Sequence, residues 1–324
     1  MHRSPVTHRA VPVVRTRAEV GESPLWDSRA GVLWWTDIPR GRLHRFAPAT
    51  GADPGAGIDS DIDSGADSGT DTVPRPDLPG PLSAVALHAG GGLLAALGDQ
   101  VLHLTDDGRT APVARVPLPS PEHRLNDGRV DPLGRFWVGT MSTTGERGTS
   151  ALHRVDPDGR STLQLAGVSI SNGLDHSPDG RLAYYADTPT GEVAVLDCAD
   201  PHRPPRRVGT LARFTHGVPD GLAVDAEGCV WVALFNGWAV HRYRPDGTLD
   251  AVVPLPVAKV TSCAFGGPGL DTLYITTASR LLDATELAGQ PLAGSLFACR
   301  PGVTGLPAHA FAGRGLPGME CCAV

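Results

Sequence analysis

The stretch N-D-G-R-V-D-P-L-G-R-F-W-V, Asn126 to Val138, returns twice in altered form. N-G-L-D-H-S-P-D-G-R-L-A-Y-Y starts at Asn172 and D-G-L-A-V-D-A-E-G-C-V-W-V at Asp220. Each time an Asn-Gly, Asp-Gly or Asn-Asp-Gly step opens a short apolar strand, an Asp/Gly turn follows, and a second apolar strand leaves. The openings lie 46 and 48 residues apart. Strand-turn-strand content at this period is the signature of a β-propeller, whose blades are short antiparallel sheets around a channel.

The same rhythm begins with G-E-S-P-L-W-D at Gly21, followed by L-W-W-T-D-I and R-L-H-R-F, and restarts at Leu82 and near Val260. With starts near Leu125, Ser171 and Pro219 this makes six. The expected fold is all-β, a six-bladed propeller with a metal site at the mouth of its channel. Residues 1–10 read as a flexible leader, 11–318 as the propeller and 319–324 as a tail. Ala308 to Ala312, A-H-A-F-A, is expected as a late strand of the last blade. The segment around Val13 and Val14 is expected to complete that blade, because joining the two chain ends removes a free sheet edge. Residues 51–77, rich in Asp, Gly and Ser, interrupt the rhythm. They lack the glutamate of a calcium-binding EF-hand loop and read as an acidic, flexible insertion between blades one and two.

Composition narrows the function classes. The 324 residues include 40 Gly and 30 Pro, which favours turns over long helices, and no extended 3.6-residue periodicity appears. Net charge is −7 and Lys259 is the only lysine, so no basic face is present for nucleic acid. The six cysteines show no zinc-type spacing, and Cys229 and Cys263 lie in apolar strand patterns as small hydrophobes. No signal-like or membrane-spanning run is visible, so a cytoplasmic protein without a membrane or nucleic-acid partner is expected, as a monomer or weak homodimer.

Four polar residues stand at strand openings: Glu22, Asn126, Asn172 and Asp220. Asn-Gly and Asp-Gly are common turn dipeptides, and any one of these residues alone reads as a turn former. Jointly, at the blade period, they form an oxygen-rich set suited to one divalent ion, Ca²⁺, Mg²⁺ or Mn²⁺, with Zn²⁺ also possible. Asp37 and Asp187, which follow the second strand of their blades, read as hydrogen-bond acceptors at blade turns. No nucleophile elbow, zinc-protease helix, phosphate loop or dinucleotide fingerprint occurs.

Five phrases together give a resemblance. They are G-E-S-P-L-W-D, R-L-N-D-G-R-V-D-P-L-G-R-F-W-V-G-T-M, S-N-G-L-D-H-S-P-D-G, P-D-G-L-A-V-D-A-E-G and V-T-S-C-A-F-G-G-P-G-L-D-T-L-Y-I-T. The chain resembles the regucalcin (senescence marker protein)/gluconolactonase/luciferin-regenerating enzyme family. The resemblance implies a metal held by Glu22, Asn172 and Asp220, with Asp220 as general base. It implies substrate contacts from Arg124 and Asn126. Eighteen residues beyond the substrate asparagine, where the animal members carry a glutamate, this chain has Thr144, with Glu146 two further on; Thr144 is expected on the substrate side, with a different sugar preference. The implied reaction is divalent-metal-dependent hydrolysis of a sugar lactone to its aldonic acid. The alternatives are a non-catalytic calcium-binding regulatory protein and a metal-dependent esterase acting on another ester class.

Overall fold

In the repeated phrase the turn is built by its aspartate. Asp131 accepts the N–H groups of Leu133 and Arg135 on Oδ1, and its Oδ2 takes the indole N–H of Trp137 at 2.8 Å. Asp225 repeats this with the N–H groups of Glu227 and Cys229 and the indole of Trp231 at 2.9 Å. Gly134 and Gly228 close the two turns at φ +74 and +79, a region where glycine carries no steric penalty. The Asp-to-Trp spacing therefore fixes a hairpin between the first and second strand of a blade.

The computed structural model describes residues 4–48 and 78–313. Six sheets follow one another in chain order. Their first strands are Gly21–Asp27, Leu82–His88, His123–Val130, Ser171–His176, Val218–Val224 and Val260–Gly266. The expected insertion at 51–77 and tail at 319–324 lie outside the described residues. One short helix, Ala284–Gly289, sits in the loop after the second strand of blade six.

Burial follows the radial position of a strand. Gly21–Asp27, Leu82–His88 and Val260–Gly266 are buried at every position, whereas the outer strand Thr110–Arg115 has no buried residue. Inner strands lose their polar alternation because both faces are covered by neighbouring blades. The core accordingly divides into hydrophobic slabs between adjacent blades. One slab joins Trp26, Leu33 and Trp35 of blade one to Tyr274, Leu296 and Ala298 of blade six, which closes the ring.

The chain ends complete the closure, one as expected and one otherwise. Val11–Val14 pairs antiparallel with Leu296–Cys299 as the outer strand of blade six. The preceding leader is in part structured: Val6–Thr7 pairs in parallel with Leu249–Pro254 and extends blade five. The β-branched Val-Thr pair fits the otherwise open edge of that sheet.

Ala310–Phe311 does not join the last blade. It pairs in parallel with Leu82–His88 on the channel side of blade two. The segment leading to it is held by Gly305 N–H to Leu270 O in blade six and by Ala226 N–H, in blade five, to Thr304 O. Ala312 N–H then donates to Gly134 O in blade three. The late apolar segment thus crosses the end of the channel opposite the strand openings. Blade six has its fourth strand from the N-terminal side, so the C-terminal segment satisfies exposed backbone groups elsewhere.

Candidate active site

Each inner strand begins at one end of the channel and carries one extra residue against its partner just after it begins, in a wider form in four of the blades. Pairing to the second strand skips Ser23–Pro24, Asn126–Asp127, Asn172–Gly173 and Asp220–Gly221, two residues facing one in every case. In blades two and six only Ser83 and Thr261 are skipped. A bulge re-aims the side chain it carries. The sequence places Asn126, Asn172 and Asp220 in that position, and Glu22 one residue ahead of it.

The glycines after these residues have a packing role and not a turn role. Neither Gly173 nor Gly221 has a positive φ. A Cβ on Gly173 would lie 2.4 Å from the Asp220 carbonyl oxygen, and one on Gly221 would lie 2.1 Å from Ser262 Oγ. The Asn-Gly and Asp-Gly steps thus let successive inner strands approach one another at the mouth. Gly173→Ala should part blades four and five there. Overpacking of this kind costs about 1–3 kcal/mol. A thermal melt should show a lower Tm than the parent, and an unchanged Tm would contradict the close approach.

Three of the predicted side chains meet in a chain of hydrogen bonds. Arg124 Nη1 donates to Asn126 Oδ1 at 2.8 Å and to Leu125 O at 2.8 Å. Asn126 Nδ2 donates to Asn172 Oδ1 at 2.7 Å and to Ser171 O at 2.9 Å. Asn172 Nδ2 is held at 2.8 Å by Thr188 Oγ1, which donates to Pro219 O in blade five. The Asn172 amide also lies near enough to the Asp220 carboxylate to favour its charged form. Glu22 accepts the N–H of Ser23 at 2.8 Å. Ser23 itself has φ +50, uncommon for a residue with a side chain, at the point where the strand enters its bulge.

Charge at this mouth is unbalanced. Glu22 is 6% and Asp220 7% exposed, so water screens neither carboxylate well. Burial first, then the charges of Asp220 and Asp127, push the Glu22 carboxyl well above its ordinary range; the Ser23 N–H and Arg124 only partly offset this. Asp220 is pushed up by burial and then by Asp127, against hydrogen bonds from Asn172 and the Gly221 N–H. Burial pulls Arg124 down to about 10 despite the nearby Glu22, with Arg280 adding repulsion. Two buried carboxylates and two amides supply hard oxygen donors, and a divalent cation among them would relieve the repulsion. Among the described residues no three His, Cys, Asp or Glu side chains form a ligand cluster. An ion at this mouth would need amide oxygen as well as carboxylate.

Thr144 lies apart from this chain, on the exposed loop after Phe136–Ser142, with its hydroxyl 2.9 Å from Ser142 Oγ. Asp37 and Asp187 behave as acceptors. Asp37 takes the N–H groups of Glu19 and Val20, and Asp187 those of Ser169 and Ile170. Both thereby fix the segment entering the inner strand of their blade.

Asp127 is the residue that sequence reasoning passed over. It lines a narrow channel below the mouth with Ser23, Arg129 and Ser262, and burial raises its carboxyl to about 6. A signal was present: aligned on the bulge, Asp127 stands where blades four and five carry Gly173 and Gly221.

A six-bladed propeller with buried carboxylates and amides at one mouth defines a class, and comparison with known proteins places the chain within it. Residues 20–279 match the SMP-30/Gluconolactonase/LRE-like region, and the chain belongs to that family. It is 38% identical over 304 residues to a 6-deoxy-6-sulfogluconolactonase of Pseudomonas putida, covering 93% of this chain and 98% of that protein. It is 34% identical over 311 residues to regucalcin of Xenopus laevis, covering 93% and 97%. Among solved structures, a calcium-binding regucalcin of Agrobacterium tumefaciens superposes with a TM-score of 0.82 at 27% identity, covering 94% of this chain and 99% of that one. A luciferin-regenerating enzyme superposes at 0.79 with 26% identity, covering 93% and 100%.

Proposed function

We propose that this chain is a divalent-metal-dependent lactonase that opens a sugar lactone to its aldonic acid. The observation that carries the reading is the hydrogen-bonded chain Arg124–Asn126–Asn172, with the buried carboxyls of Asp220 and Glu22 beside it, at the openings of four inner strands. Relatives named as a sulfogluconolactonase and as regucalcin support it across more than nine-tenths of the sequence.

Glu22, Asn172 and Asp220 would hold the ion, and the oxygen-only set favours Ca²⁺, Mg²⁺ or Mn²⁺ over Zn²⁺. When bound, the cation supplies Lewis acidity toward the lactone carbonyl. Arg124 and Asn126 face the substrate side, where the guanidinium stabilises the negative charge that develops on the carbonyl oxygen. Asp220 takes a proton from the attacking water, whose oxygen bonds to the carbonyl carbon. The bond from that carbon to the ring oxygen then breaks, and the ring oxygen leaves with the returned proton as a hydroxyl. Thr144, on a loop at the mouth, contributes to sugar preference where animal relatives carry glutamate.

A panel of aldono-1,5- and 1,4-lactones, assayed with added Ca²⁺, Mn²⁺ or Mg²⁺ and again with chelator, tests the reading. Hydrolysis that chelator abolishes and metal restores is expected. Ion binding without turnover of any lactone would identify a calcium-binding regulatory protein instead. A larger kcat/KM for aryl esters or phosphotriesters would identify an esterase of another class.

A further inference from the structure

The inner strands of blades three, four and five have no sheet partner on their channel side, so their edge groups need bonds from elsewhere. In blades three to five one side chain supplies several of them. Arg129 lies three residues past Asn126 on the inner strand of blade three. Its Nε donates to Leu174 O in blade four at 3.3 Å, and its Nη2 to Leu222 O in blade five at 3.0 Å. The same Nη2 bonds Asp175 Oδ2 of blade four at 3.2 Å. Asp175 Oδ2 in turn accepts the N–H of Val224 in blade five at 2.9 Å.

Leu174 lies two residues past Asn172, and Leu222 two past Asp220. We propose that Arg129 and Asp175 are a positioning pair that fixes the spacing of the three strands presenting Asn126, Asn172 and Asp220, and thereby sets the affinity of the mouth for a divalent ion. The inference rests on the ligand set of the lactonase reading. A planar guanidinium suits this place, since it reaches two carbonyls on different blades and a carboxylate from one fixed fork. Their hydrogen bonds run to strand positions past the openings, so their effect on an ion passes through the ligand-bearing strands and, for Arg129, through its charge on Asp127.

The test uses the full chain with Mn²⁺ as probe, measured by titration calorimetry, alongside Tm in chelator. Arg129→Gln and Asp175→Asn should weaken Mn²⁺ binding by about 10- to 100-fold, the range for groups that orient metal ligands. At saturating Mn²⁺, kcat on the best lactone should stay within about threefold of the parent. Arg129→Lys keeps the charge without the fork and should recover only part of the affinity. Arg135→Gln breaks another ion pair, to Asp131 at the far turn of blade three, and serves as the stability control. It should lower Tm and leave Mn²⁺ affinity unchanged. Parental affinity in both Arg129→Gln and Asp175→Asn, or equal weakening in Arg135→Gln, overturns the positioning role while leaving the lactonase reading intact. A parent chain that binds no divalent ion overturns both. If Arg129→Gln does not fold, Asp175→Asn and Arg129→Lys decide the matter.

Discussion

Asp220→Asn should give a protein that melts higher than the parent in chelator and no longer hydrolyses lactone. The two effects share one cause. Asp220 is buried beside Asn172 and Gly221, and the negative charge of Asp127 acts on it. It acts in turn on Glu22. Without a cation this cluster holds like charges out of water, an arrangement that favours protonation or unfolding. The asparagine keeps the shape and one oxygen to accept the Gly221 N–H, but carries no charge. The ion-free fold should therefore gain stability, seen as roughly 1–2 °C in Tm for each kcal/mol of repulsion relieved in a chain of this size. The same exchange removes an ion ligand and the proposed base, so kcat/KM should fall by about 10³-fold or more. Glu22→Gln should show the same pairing of higher chelator Tm and lost activity. Near-parental hydrolysis in either variant would refute the proposed roles. A chelator Tm at or below the parent's would refute the electrostatic account.

Much of this arrangement could be read from the residues, for identifiable reasons. The Asp131 and Asp225 turns and their tryptophans are local in sequence, so the hairpin repeat was visible in the text. Glu22, Asn126, Asn172 and Asp220 were legible because polar residues interrupt otherwise apolar strand starts at a fixed period. The glycines beside them were harder: a turn and a close approach of two strands call for the same residue, and only the neighbouring blade distinguishes them. The path of Ala310–Phe311 to blade two was not legible, since a short apolar strand carries no information about which distant edge it will cover. Arg129 and Asp175 were hidden for a related reason. Their partners are mainly carbonyls and an N–H on other blades, and backbone groups leave no trace in a sequence.

The charge imbalance also predicts how ion binding should depend on pH. Unfolded carboxyls titrate near 4. In the ion-free fold Asp127 is raised to about 6, and Glu22 and Asp220 are raised as well. For a raised carboxyl the folded state binds more protons than the unfolded one. Its stabilising contribution is complete below the unfolded value and is lost as pH rises through the folded one. Buried histidines act in the opposite direction over part of this range. His88 is lowered to about 4, and His176 is lowered too, chiefly by burial, so both lose stability as pH falls below the ordinary imidazole value. They lie away from the mouth, and the difference in Tm between ion-loaded and chelated protein cancels them. That difference should be small near pH 5 and grow steadily toward pH 7.5, because a cation binds the deprotonated cluster and offsets its repulsion. Asp127→Asn should reduce the growth around pH 6 while leaving Glu22, Asn172 and Asp220 in place as ligands. A Tm difference that stays flat from pH 5 to 7.5, at fixed free Mn²⁺, would mean that these carboxylates neither repel one another in the empty fold nor meet around an ion in the loaded one.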